Sequence, residues 1–329
     1  MKRSIDDTLT PLPVSLELCH PDLWTVFLSE INCVFTLIVL SNTCKTIKQQ
    51  VARFAKLNQI EWNIKCSDIA AKGYLDVLKW VKDLGYLPNT DSGGEAALYG
   101  HFEVLKWVTQ NGCPLNHWIC DSAARGGQLD ILIWARGNGY PWSDYTAAYA
   151  AKRGYLHILK WAHENGCPMN SIISSEAAEA GQLEVLEWVK DNVDGWNNPW
   201  ICYFATTGGH LNVLKWAKKS GCAWSTGICS AAATFGYFKI LKWVRDPAMV
   251  PEGNVCPWDS STCTSAVVSD HLDIFKWARS NGCPWNEKAC RVAVKYNRLE
   301  ALKWARSNGC PWDEDTEKMA KKKWGDIFN

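Results

Sequence analysis

Residues 75–80 read Leu-Asp-Val-Leu-Lys-Trp, and the same phrase returns with its tryptophan at Trp107, Trp134, Trp161, Trp188, Trp216, Trp243, Trp277 and Trp304. From Trp80 the steps are 27, 27, 27, 27, 28, 27, 34 and 27 residues. A fixed period of this size is the signature of a repeat array, in which each unit buries its apolar face against its neighbours. Length therefore counts units here, and an array offers a long surface rather than one deep pocket.

The unit "CDSAARGGQLDILIW", Cys120 to Trp134, shows the local logic. Cys120, Ala123 and Ala124 share one arc of a helical wheel, with Asp121, Ser122 and Arg125 opposite. The core face is small, so a neighbouring helix can come close. Gly127 ends this helix, in a column that holds Gly73, Gly100, Gly154, Gly181, Gly209 and Gly236, then Asp270 and Asn297. Gly, Asn and Asp are the residues that tolerate the left-handed conformation at a helix C-terminus. In the second helix Leu129, Ile131, Leu132, Trp134 and Ala135 span roughly 220° of the wheel, which predicts burial on two sides with the tryptophan inside. Pairs such as Asp76/Lys79, Glu103/Lys106, Asp273/Lys276 and Glu300/Lys303 lie on its polar strip and contribute about 0.2–0.5 kcal/mol each. The unit closes with Asn-Gly-Cys-Pro-Trp (281–285, 308–312). A second aromatic set (Trp142, Trp196, Trp224, Trp258, Trp285, Trp312) is expected at the core edge with its indole N–H partnered.

The net charge of +1 gives no bulk attraction to nucleic acid or to an anionic membrane. The Lys79, Lys106, Lys160, Lys215, Lys242, Lys276 and Lys303 ladder has acids beside most rungs and reads as a solvated face, not a nucleic-acid site. "MKRSIDDTLT" lacks the apolar run of an export signal, and Val26 to Leu40 is too short to span a bilayer. These features predict a cytoplasmic monomer with no membrane association, the nucleus being an alternative through Lys321-Lys322-Lys323.

The fifteen cysteines fall mostly in two repeat columns. One is Cys113, Cys167, Cys222, Cys256, Cys283 and Cys310; the other is Cys66, Cys120, Cys202, Cys229, Cys263 and Cys290. Their closest spacing, Cys-x6-Cys, lacks the short paired pattern of a zinc site, so they read as buried thiols with no metal and no cofactor. No phosphate loop, metalloprotease motif or nucleophile motif is present, and His101, His210 and His271 belong to a repeat column. No catalytic residue is assigned.

Ala96-Ala97 with Gly100-His101-Phe102-Glu103-Val104-Leu105-Lys106, the Gly209-His210-Leu211 step, and Asn116, Asn170, Asn197 and Asn286 together resemble the ankyrin repeat. The unit is about six residues shorter than the usual ankyrin unit, and the loss falls where that family carries its β-hairpin finger. Short Trp-rich units of this kind are similar to those of giant-virus and protist ankyrin proteins, which for a viral chain implies the host cytoplasm. The resemblance implies an all-α, ankyrin-like solenoid of about nine helix-turn-helix repeats over residues 58–312. Residues 313–329 then form a capping helix, with acids at its start and lysines at its end, and residues 1–8 a flexible tail.

Residues 9–57 do not carry the repeat. Leu12-Pro13, two apolar helical stretches and Leu40-Ser41 with Cys44-Lys45 resemble a degenerate F-box. That implies docking to the linker subunit of a cullin ubiquitin ligase through Leu12, Pro13, Leu23, Phe27 and Leu40, with the repeats choosing a protein substrate. A helical cap over the first repeat, in a scaffold with no ubiquitin role, stands beside that reading. Partner contact is expected on the outward arc of the first helices, at Glu95, Tyr99, Tyr149, Tyr203, Phe204, Phe235, Arg291 and Tyr296. It is also expected at Met249 and Val250, on the loop of the 34-residue step.

Overall fold

The computed structural model describes residues 64–114, 116–250 and 254–325. These fall in two compact units, one within Met1–Leu115 and the other within Asn116–Asn329. Every regular element among the described residues is a helix, and no strand is present there. The described residues of the first unit hold two helix pairs, α1 (Cys66–Ala71) with α2 (Leu75–Asp83) and α3 (Thr90–Leu98) with α4 (Phe102–Gln110). The second opens with α5 (Trp118–Gly126) and α6 (Leu129–Gly137), α7 (Thr146–Arg153) and α8 (Leu156–Glu164), and α9 (Ser171–Glu179) and α10 (Leu183–Asn192). It continues through α11 (Ile201–Thr207) and α12 (Leu211–Lys219), α13 (Thr226–Thr234) and α14 (Phe238–Arg245), and α15 (Ser260–Val268) and α16 (Leu272–Ser280). The last pair is α17 (Glu287–Lys295) with α18 (Leu299–Ser307), followed by α19 (Glu314–Trp324).

Within the second unit each first helix packs beside the next, from α5 and α7 through to α17 and α19, and on the second helix of its own pair. Their facing sides are alanine and cysteine: Ala147, Ala148, Ala150 and Ala151 on α7, and Ala231, Ala232 and Ala233 on α13, are all buried. Small side chains let the backbones approach, as the sequence predicts. α19 occupies the place of a further first helix against α17. Its first turn carries Glu314, Asp315 and Glu317 and its last turn Lys321, Lys322 and Lys323, which suits the helix dipole.

The left-handed column is as expected, including Asp270 at φ 66° and Asn297 at φ 62°. At the other end of the pair an asparagine closes the second helix: Asn165 Nδ2 donates to the Trp161 carbonyl at 2.7 Å, and Asn281 repeats this on Trp277 at 2.8 Å. Three of the four predicted surface pairs form, Asp76–Lys79, Glu103–Lys106 and Glu300–Lys303, at 3.8, 3.0 and 3.3 Å.

Two expectations are corrected. The tryptophan column is not the centre of the core. Ile158, Leu159 and Ala162 are fully buried while Trp161 between them is half-exposed, and only Trp80 and Trp243 of that column reach burial. Asp121 and Ser122, placed on the solvent arc by the helical wheel, are buried. The Asp121 carboxylate accepts hydrogen bonds from Ser143 Oγ at 2.6 Å and Thr146 Oγ1 at 2.5 Å, at the start of α7.

Candidate functional site

Neighbouring pairs are fastened by two recurring devices. At most junctions within a unit the residue preceding the second helix does not cap its own helix but reaches back to the previous pair, whereas Gln128 donates to Gly126 of its own pair. His101 Nε2 lies 3.0 Å from the Ala71 carbonyl, Gln182 Nε2 donates to Lys152 O at 3.3 Å, and Arg298 Nη2 donates to Val268 O at 3.1 Å. A Cβ at Gly127 would stand 2.9 Å from Tyr155 Cζ, and one at Gly181 2.5 Å from His210 Nδ1. These glycines hold a left-handed turn and also admit the neighbour's ring. His101, His210 and His271 are therefore structural, as their column position predicts.

The second device joins a cation and two indoles. The loop tryptophans Trp142, Trp196, Trp224, Trp258 and Trp285 pack edge-on or tilted against the tryptophan of the following second helix. Trp142 on Trp161, Trp224 on Trp243 and Trp285 on Trp304 have centroids 5.9 Å apart, and Trp196 on Trp216 5.6 Å. A cation from the preceding second helix covers the loop ring: Arg136 over Trp142 at 4.4 Å, Arg245 over Trp258 at 3.9 Å, Arg279 over Trp285 at 4.3 Å. The expected indole partner is present for Trp224, whose Nε1 donates to Asn254 O at 2.7 Å, but Trp142 Nε1 is buried without one. With a guanidinium on one face and an indole at its edge, this ladder is packing rather than an open platform for a ligand.

Several exposed aromatics lie on the first helices. In the first unit Tyr99 is exposed at the end of α3 and Glu95 is half-buried. In the second, Phe235, Arg291 and Tyr296 are exposed, while Tyr149, Tyr203 and Phe204 are half-buried. Arg291 is not a free contact, because it pairs with Asp313. Met249 is 63% exposed, but Val250 is only 5% exposed and is corrected from contact to core. The Asp246 side chain and carbonyl accept the backbone N–H groups that follow, which folds the loop back and turns Val250 inward. Leu12, Pro13, Leu23, Phe27 and Leu40 lie outside the described residues.

The sequence reading missed three exposed aromatics in one column. Trp118, Tyr145 and Trp200 stand at the start of α5, α7 and α11, exposed by 37, 50 and 57%. The repeated tripeptide Trp-Ile-Cys at 118–120 and 200–202 was the available signal. Asn116 and Asn198 accept the N–H of Trp118 and Trp200 at 3.1 and 2.9 Å, and so fix where those rings leave the backbone. Tyr145 lies 6.2 Å from Tyr149, and Trp200, Tyr203 and Phe204 form a chain with steps of 6.0 and 5.8 Å. Between these clusters runs α9. Its Glu176 and Glu179 grip Lys152 at 2.6 and 3.0 Å, and the bond to Glu176 raises the pKa of that lysine. Further along, a groove of about 440 Å³ crosses α15, floored by Ser261, Thr264 and Ser265 with Thr234 and Lys288 at its sides. Ser261 donates to Asp259 and Thr264 to the Ser260 carbonyl, so these hydroxyls are already engaged.

No protein-family model matches the chain, and no curated protein sequence matches it. Among solved structures the chain is similar to the human ASB11 ankyrin repeat domain. The two are 16% identical with a TM-score of 0.40, over 50% of this chain and 86% of that one. The all-α assignment rests on the helix pairs themselves. No helix among the described residues is long and apolar enough to cross a membrane.

Proposed function

We propose that the protein is a non-catalytic scaffold that binds another protein through the outer edge of its first helices. The observation that carries this is a pair of aromatic clusters, Tyr145–Tyr149 and Trp200–Tyr203–Phe204, flanking α9 in the second unit, each led by an exposed ring, Tyr145 or Trp200. Large rings left in water at the start of helices add nothing to the array, and tyrosine and tryptophan are prominent among interface hot spots. The finer reading, a substrate-recruiting adaptor of a cullin-type ubiquitin ligase, is supported by the F-box-like pattern of residues 9–57. The free, buried state of the described cysteines fits a reducing compartment such as the cytoplasm.

The test uses full-length protein as bait, with Tyr145→Ala/Trp200→Ala and a deletion of residues 1–57 beside it. Captured proteins are quantified by mass spectrometry. The aromatic variant is expected to lose the recruited protein while keeping its melting temperature, and the deletion to lose the cullin and linker subunit. A folded aromatic variant with an unchanged set would refute the proposed face. An unchanged set from the deletion would refute only the adaptor role.

A further inference from the structure

The C-terminal ends of α17 and α19 meet in an open groove of about 400 Å³. It is lined by Val294 and Lys295 from α17 and by Met319, Lys322 and Lys323 from α19. Val294 is buried, while Met319 stands 41% exposed. Lys323 ties the two helices together, its Nζ donating to the Val294 carbonyl at 2.8 Å and lying over the Trp324 ring at 5.2 Å. Lys295 stands over the Tyr296 ring at 5.5 Å, and that ring is exposed.

The acids of these two helices lie at their other ends. Glu314, Asp315 and Glu317 are in the first turn of α19, where Glu314 pairs with Lys318 at 3.7 Å and Glu317 with Lys321 at 3.1 Å. Glu287 is in the first turn of α17. Glu287 and Asp315 therefore lie about 10–12 Å back along their helices from Lys295 and Lys322, a Debye length or more at physiological salt. No carboxylate among the described residues lines the groove. Lysines at a helix C-terminus suit the dipole. That does not account for a methionine and a tyrosine left in water beside them.

We propose that this groove binds an acidic peptide segment of a partner protein, one whose carboxylates flank a large apolar side chain. The apolar side chain covers Val294 and Met319, and the carboxylates meet Lys295, Lys322 and Lys323. Methionine is unbranched and adapts to the shape that enters. Charge complementarity of this kind sets the choice of partner and the rate of encounter. A nucleic acid would meet the same charges, but three lysines release few counterions, and an exposed methionine offers a phosphate nothing. The groove is separate from the aromatic clusters at the starts of α7 and α11, so this inference stands apart from the reading above.

The experiment follows the fluorescence anisotropy of a labelled peptide, Glu-Asp-Glu-Leu-Phe-Glu-Asp-Glu, titrated with the full chain at about 0.05 M salt. Saturable binding is expected, weakened roughly tenfold or more by Lys295→Glu/Lys322→Glu. Met319→Ser, or Gly-Gly in place of the peptide's Leu-Phe, should each weaken it roughly fivefold or more. Lys160→Glu/Lys239→Glu makes the same change of net charge at exposed second-helix positions and should leave binding within about twofold. Melting temperatures report whether each variant is folded. Equal losses from the two charge-reversal pairs would overturn the proposal. So would no saturable binding, no loss from Met319→Ser or the Gly-Gly peptide, or tighter binding of a single-stranded oligonucleotide of equal charge. A chain lacking residues 326–329 that binds roughly tenfold more tightly than the full one would make its own Asp326-Ile327-Phe328 the occupant and overturn the partner segment.

Discussion

Replacing Gly127 by alanine separates backbone strain from the fastening between neighbouring helix pairs, because Gly166 supplies a matched control. Both glycines are left-handed, at φ +80° and +76°. An alanine in that region costs about 1–2 kcal/mol, offset by about 0.4–1 kcal/mol from the stiffer unfolded chain. A Cβ at Gly166 meets nothing within 4 Å, so Gly166→Ala should cost about 1 kcal/mol in all. At Gly127 the same atom would lie 2.9 Å from Tyr155 Cζ and 3.0 Å from Cε2, inside any real contact distance. The ring must move off the turn, and overpacking of this kind adds about 1–3 kcal/mol. Gly127→Ala should therefore cost about 2–4 kcal/mol, a fall in melting temperature of roughly 5–15 °C at about 2–4 °C per kcal/mol. Urea denaturation midpoints and thermal melts measure both variants, and Gly127→Ala/Tyr155→Ala completes a double-mutant cycle. The double variant should lose less than the sum of the two singles. Equal losses at Gly127 and Gly166, or a strictly additive cycle, would refute the claim that the tyrosine ring occupies the space above the glycine.

Leu159→Ala, at a fully buried site, should cost about 2–5 kcal/mol, and Trp161→Ala less despite the larger deletion; melts that rank them the other way would place the indole in the core. Asp121→Ala leaves the Ser143 and Thr146 hydroxyls without their acceptor and should cost about 1–3 kcal/mol, read by urea titration. Asp313 is pushed down to about 2 by the facing Thr316 hydroxyl and its backbone N–H, then by Arg291. Its carboxylate therefore stabilises fully above the unfolded pKa of about 3.9, and that part is lost as pH falls toward 2. The melting-temperature gap between wild type and Asp313→Asn should close over that window, and a gap constant from pH 6 to pH 2 would contradict the assignment. Burial pushes the Cys120 and Cys167 thiols up to about 12, so maleimide should label them at pH 8 only after unfolding, as mass spectrometry of native and urea-treated protein can show.

The period, the two helices per unit and the left-handed column were legible because each depends on residues within one 27-residue unit. Asp270 and Asn297 were even better witnesses than the glycines, since only a left-handed turn explains them together. What was not legible depends on the neighbouring unit. A helical wheel counts Trp161 and Leu159 alike as apolar; it does not show that Leu159 is fully buried while Trp161 stays half-exposed beside the Trp142 ring that arrives from the preceding loop. Asp121 looked like a solvent residue because its donors lie 22 and 25 residues away. Val250 turns inward through an Asp246 turn that its own proline-rich surroundings did not suggest. The exposed Trp118 and Trp200 were hidden among twenty tryptophans, most of which serve packing.

The last fastening in the array shows why these positions must change together. Opposite His271 the turn residue is Gly236, where an added Cβ would stand 2.7 Å from the imidazole Cε1. One unit on, the turn residue is Asp270 and the residue reaching back is Arg298. Their side chains pair at 3.0 Å while the guanidinium also takes the Val268 carbonyl at 3.1 Å. A flat ring lies down on the turn and needs glycine beneath it. A long guanidinium arches over the turn, so the left-handed residue can carry a carboxylate and gains an ion pair to offset its backbone strain. Glycine opposite Arg298 would forfeit that pair, and aspartate opposite His271 would collide with the ring. These junctions thus match a flat group to glycine, a ring at most of them and the Gln182 amide over Gly154, or an arginine to aspartate, at the C-terminal end of the first helix and away from its start, where Trp118, Tyr145 and Trp200 stand. Those exposed positions enter no such choice, and a side chain there can change without disturbing how the array is held together.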